Sequence, residues 1–349
     1  MMSDATPVGD LSFKDRKAGL VLFGIVEILI GLALALLVCG MVLGRSGCRT
    51  CSAPPAANQK CTAPPVDAKT MIPAAMVLGL GAACFVILGM GSIRCRRWAR
   101  SLMLIFAWFW MVTGLVGMFF VAAISLRNMQ SQMPQGGSSP MPAFFIFIAV
   151  MFLVYVSLPA LFVWFYGSKN VKATVEYRDP QIRWTDRCPL PVLAVSLLAG
   201  WSALSWLVFP IFAILGIGTP TAFPLFGRIL TGAVAGGVQG CFVVLMVYVA
   251  WGAYKLNIRA WWCAVILAIV CGVSAVVNTL CLDPMELYKR MNLSAVQLDA
   301  IRKIGIVGNR WTYLTGGLWC LAGLAYLLWI RRFFSHRDGG DRDVSPPQI

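Results

Sequence analysis

One carboxylate lies deep inside an apolar run: Glu27, within Gly24-Ile25-Val26-Glu27-Ile28-Leu29-Ile30. An ionised group at the centre of a bilayer costs about 2.5–3.5 kcal/mol on insertion scales. Such a side chain therefore faces other helices, carries a proton or lines a wet cavity. Two chemistries follow: a proton or cation site, or a hydrogen-bonded structural glutamate. No Lys, Arg or His lies at similar depth in another apolar run to pair with it, so the structural role is the expectation. Gln239 and Asn278 are the other strong polar side chains inside apolar runs. Amides there join helices by hydrogen bonds worth roughly 0.6–2 kcal/mol, or line a substrate path. Gln239 stands beside Gly236 and Gly240, and helix joining is the expectation for both amides.

Cys48, Cys51 and Cys61 fall together in a proline-rich stretch. A closed structural zinc site needs four ligands, and this stretch offers three and no histidine. Cys51 is followed by Ser52, which fails the CxxCH pattern of haem attachment. On an oxidising side of the membrane one structural disulfide among the three is expected; an unbridged loop and a redox or metal role stay open. Most of the twelve cysteines sit inside apolar runs, where free cysteine packs as a small hydrophobe. The single histidine, His336, lies near the C-terminus. No phosphate-cradling glycine loop, GxSxG elbow or HExxH helix occurs. No catalytic residue, cofactor or metal site is expected.

The elements that must position these residues are membrane helices. Of 349 residues 59% are hydrophobic and 12% charged, about half the charge of a soluble domain. Eight apolar runs cover residues 18–43, 72–93, 101–126, 143–166, 190–217, 225–254, 260–282 and 311–334. Roughly 20 apolar residues span the hydrocarbon core as a helix. The fold class is therefore all-α, a polytopic bundle of about eight transmembrane helices filling 18–334, with a polar tail at 1–17 and a disordered one at 335–349. Both tails are expected on the cytoplasmic side. The first run is too long for a signal-peptide core. Leu37-Val38-Cys39 hints at lipoprotein cleavage, but valine before the cysteine opposes it, so an uncleaved signal anchor is expected.

The net charge of +15 does not point to nucleic acid, because the basic residues are scattered in short loops between apolar runs. With both termini inside, eighteen of the 29 Lys and Arg residues fall on the cytoplasmic side, as the positive-inside bias requires. The loops 45–71 and 283–310 are then external. In the latter, Asp283-Pro284-Met285-Glu286 and Ser294-Ala295-Val296-Gln297 each read as a helix start. Two short amphipathic helices on the outer face are expected. The basic inner loop 167–189 suits anionic lipid.

Arg96-Arg97-Trp98-Ala99 opens the third run and Arg259-Ala260-Trp261-Trp262 the seventh. The run before each carries small residues four apart: Ala75, Gly79 and Ala83, then Gly232, Gly236 and Gly240. That spacing lets helix backbones approach closely. A tandem repeat of four helices plus four fits this pattern; recurrent basic and Trp boundaries, common to membrane proteins, fit it too.

Phe165-Tyr-Gly-Ser-Lys-Asn-Val-Lys-Ala-Thr-Val-Glu-Tyr-Arg-Asp-Pro180, Arg183-Trp-Thr-Asp-Arg-Cys-Pro-Leu-Pro191 and Glu286-Leu-Tyr-Lys-Arg-Met291 resemble segments of multi-pass bacterial membrane proteins that have no assigned activity. The resemblance covers the chain from the fourth run onward. It implies a bacterial inner membrane and adds nothing about mechanism. The expected function is a non-catalytic integral membrane protein, a scaffold or accessory subunit. Its partners would be the lipid bilayer and other membrane proteins. A small-molecule or ion transporter resting on Glu27 is the alternative. A lipid enzyme comes third, for want of converging acids or histidines.

Overall fold

A computed structural model describes residues 14–47, 68–131, 141–214, 222–290, 298–299 and 311–334. Cys48, Cys51, Cys61, residues 1–13 and 335–349 of the tails and most of 291–310 lie outside them, with the expected disulfide and second outer helix. The fold is all-α, with one hairpin among the described residues. The first long helices are α1 (Lys17–Gly47), α2 (Ala68–Ile93) and α3 (Arg97–Ser131). A composite helix follows: α4 (Met141–Phe152), a π-turn (Leu153–Ser157) and α5 (Leu158–Gly167). Next come the short α6 (Lys169–Arg178), a 3-10 turn (Trp184–Asp186) and α7 (Leu190–Ile214). The hairpin β1 (Ala222–Leu225) and β2 (Arg228–Thr231) leads into α8 (Gly232–Tyr254), α9 (Ile258–Cys281), α10 (Pro284–Arg290) and α11 (Trp311–Ile330). Among the described residues seven helices are long and apolar enough to cross a membrane, and α11, at 20 residues, occupies the place of the eighth run. The chain is an integral membrane protein. Large apolar side chains point outward along the helices, Leu36 at 72% exposure and Trp164 at 74%, as lipid-facing residues do.

The chain divides into two compact units, Met1–Arg187 and Cys188–Ile349. In the first, α1 and α2 close at Gly24 and Gly89. A Cβ added to Gly89 would lie 2.6 Å from the Gly24 carbonyl oxygen. A second contact closes at Gly31 against the Ala82 carbonyl. Phe23 of α1 stacks on Phe165 of α5 with ring centroids 4.0 Å apart. The π-turn has a local cause. Pro159 has no N–H for the carbonyl of Tyr155, and its ring crowds that carbonyl. The helix widens, and the Leu158 N–H bonds back to Leu153. The Tyr155 oxygen then faces α3 at Gly114, 2.5 Å from where a Cβ would stand.

Both units build the same corner between consecutive long helices. Cys95, at φ +50°, ends α2, and Leu256, at φ +58°, ends α8. The Cys95 N–H bonds to Ser92 and the Arg96 N–H to Gly91; the Leu256 N–H bonds to Ala253 and the Asn257 N–H to Gly252. This pairing of 5→2 and 6→1 bonds around a left-handed residue is the Schellman cap. In each corner the residue eight after the glycine, Ala99 or Ala260, closes onto it.

Two expectations are corrected. The small residues at four-residue spacing do not carry the close packing. A Cβ on Gly79, Gly232, Gly236 or Gly240 would meet nothing within 4 Å, Ala75 is half-buried and Ala83 is exposed. The buried face of α2 runs instead through Ala82, Phe85, Leu88 and Ser92, displaced by one position in the helical period. The sixth run does not begin as a helix at residue 225; α8 starts at Gly232, after the hairpin. The basic segment 167–189, besides, contains α6: Ser168 caps it by accepting from the Val171 N–H at 3.3 Å, and Val171, Thr174 and Val175 are buried.

Candidate functional site: a closed polar ring beneath a basic face

Glu27 is wholly buried, at 0% exposure. It stands ten residues into α1, about 15 Å along the axis. The hydroxyls of Tyr166 and Ser92, near the ends of α5 and α2, reach down to it. The Tyr166 oxygen lies 2.7 Å from Glu27 Oε1, Ser92 Oγ lies 3.1 Å from Oε2, and the two hydroxyl oxygens are 2.9 Å apart. Ser92 donates to Oε2, and the Tyr166 hydroxyl donates to Oε1 while standing within hydrogen-bond distance of Ser92 Oγ. Both hydroxyls are spent on the carboxyl and on each other.

Among the described residues the polar ring is seen only in the first unit. In the second, α7 and α8 cross where a Cβ on Gly200 would stand 3.9 Å from Ala250. Three residues beyond that crossing stand Ala203 and Ala253, both buried. They match Glu27 and Ser92, three beyond Gly24 and Gly89. The matching positions of the second unit are thus two buried alanines.

Above the ring, the ends of four elements are tied together. Arg178 of α6 donates to Asp15 at 2.7 Å, and the Arg16 N–H donates to Thr174 at 3.0 Å. The Asp15 carboxyl is held below its ordinary range, first by the hydrogen bond from Arg178. Asp179, its side chain 4% exposed, pairs with Arg183 at 3.3 Å and Arg96 at 3.5 Å. Arg97 Nε donates to the Asp179 carbonyl at 2.6 Å. Burial pushes the Asp179 carboxyl up, but the hydrogen bonds from Arg183 and the Arg97 amide and the nearby guanidinium charges outweigh it and hold it low. Burial pushes the Cys95 thiol up and the Cys188 thiol up to about 11.

The two intramembrane amides do different work. Asn278 does not join two helices. It grips the hairpin turn, accepting the Gly227 N–H at 2.8 Å and donating to the Pro224 carbonyl at 3.3 Å. Ser274 accepts the Phe226 N–H at 3.1 Å. Phe226 and Gly227, at φ +46° and +76°, form the type I′ turn that matches strand twist. Gln239 is buried beside Ala235 on the inner face of α8, and its Oε1 has no hydrogen-bond partner among the described residues. No cluster of three or more His, Cys, Asp or Glu suited to a metal is present among the described residues.

The sequence pointed to Glu27 but not to Ser92 or Tyr166. Both sit at helix ends, where Tyr reads as an interfacial anchor. No protein family, curated protein or solved structure matches the chain.

Proposed function

We propose that this is a non-catalytic membrane protein, an accessory subunit or scaffold whose polar groups hold its own helices rather than a substrate. The observation that carries this reading is the closed ring of Glu27, Ser92 and Tyr166. Both hydroxyls donate within the ring, so it ties α1, α2 and α5 together as a buried clasp. The proposed setting is a bacterial cytoplasmic membrane with both termini inside. Its support is positional. Asp15, Arg16, the α2–α3 corner and 168–187 meet at one end of the first unit, and that end carries the basic residues that the positive-inside bias keeps in the cytoplasm.

A second reading, proton or cation transport through Glu27, is favoured by one observation: the matching corner of the second unit needs no carboxyl. Proteoliposomes under an imposed pH gradient and membrane potential separate the two. The accessory reading expects wild-type vesicles to acidify no faster than empty ones. A wild-type flux that Glu27→Gln abolishes, at equal reconstitution, overturns it in favour of transport.

A further inference from the structure

The α2–α3 corner and the segment after α6 enclose an open cleft of about 320 Å³. Arg94, Arg96 and Arg183 line it, with Trp98 beside them and Ile87 and Met90 as its apolar wall. Arg96 and Arg183 share one carboxylate, Asp179, and Arg94 makes no ion pair among the described residues. Three guanidiniums against one carboxylate leave two positive charges uncompensated. Arg183 Nε is buried with no hydrogen-bond partner, a donor for which the described chain supplies no acceptor. Guanidinium forks match phosphate oxygens two at a time. The apolar wall is no core: Ile87 and Met90 are 51% and 44% exposed on a helix apolar enough to cross the membrane. The cleft therefore straddles the boundary between acyl chains and headgroups, with its charge on the polar side. Trp98 supplies the amphipathic ring favoured at that depth.

We propose that this cleft binds a phosphate-bearing anion, its charge among Arg94, Arg96 and Arg183. Ile87 and Met90 make a phospholipid headgroup, with its chains against them, the occupant the geometry favours over a soluble phosphate. The site requires only that the chain be embedded in a membrane, and stands whether the protein is an accessory subunit or a transporter.

Native mass spectrometry of the full-length protein in mild detergent tests it, with phosphatidylglycerol and phosphatidylcholine as probes. The wild type is expected to retain phosphatidylglycerol preferentially. Arg94→Gln, at an exposed and unpaired position, should weaken that retention about fivefold, the share of one cation beside an anionic headgroup. Arg94→Lys should restore much of it. Arg259→Gln removes an exposed basic residue at the corner of the other unit and should change nothing. Millimolar inorganic phosphate separates the sources: displacement of the bound lipid assigns the site to soluble phosphate as well, and persistence assigns it to the headgroup. Equal retention of the two lipids by the wild type, or equal losses in Arg94→Gln and Arg259→Gln, would overturn the proposal.

Discussion

Glutamine is the substitution that best interrogates residue 27. Its amide accepts from Ser92 and donates to Tyr166, so the ring survives. Glu27→Gln should leave the thermal midpoint in detergent within about 1 kcal/mol of wild type. Glu27→Ala strands two buried hydroxyls and opens a cavity, and should cost about 2–4 kcal/mol. Equal losses for the two would show that the carboxyl is ionised and that its charge matters. Asp179 makes a pH prediction of its own. Its carboxyl titrates lower folded than unfolded, so its contribution is fully present above the unfolded value near 4. It is lost as pH falls through the lower folded value. Hydrogen-exchange protection across 168–188, taken relative to intrinsic exchange at each pH, should therefore fall only below about pH 4. Asp179→Asn should show the lowered protection already at neutral pH.

At the scale of elements, the helix contacts lie where backbones touch. Gly89→Ala drives a methyl into the Gly24 carbonyl and Ile28 and should cost about 1–3 kcal/mol. Gly236→Ala meets open space and gains helix propensity, so it should be neutral or stabilising by up to about 1 kcal/mol. Unfolding midpoints of the two variants in one detergent check the contrast; reversed signs would restore the four-residue glycine pattern as the packing face. The runs themselves were legible from apolarity, since span length follows from bilayer thickness. The packing register was not. Small residues recur at several spacings, and seven residues separate Gly24 from Gly31 as well as Ala82 from Gly89. The hairpin was hidden because 225–231 is apolar enough to extend the following run; its signal was the Phe226-Gly227 turn after Pro224. The Asp283 start of α10 was readable, and its side chain accepts the Met285 N–H at 3.0 Å.

For the whole molecule, orientation is the proposal most open to test, and thiol chemistry is the direct route. Native Cys95 and Cys188 are poor reporters. Both are buried, and burial raises both thiols, so they stay silent on either side. Lys172, 58% exposed on α6, is the better position. In a cysteine-free background, Lys172→Cys should resist an impermeant maleimide in intact cells and react once the membrane is opened. Labelling of intact cells would invert the proposed topology.

The polar clasp also constrains how the protein is made. Tyr166 follows Glu27 by 139 residues. At roughly 5–20 residues per second on a ribosome, α1 waits on the order of 10–30 s in the membrane before its partner is synthesised. Ser92 follows Glu27 by only 65 residues, so for the later part of that interval the carboxyl has one of its two hydroxyl partners and lacks the other. Biogenesis of this chain therefore depends on whatever shelters that helix until the fourth one arrives, and nascent chains stalled before Tyr166 should be preferred targets of membrane quality control.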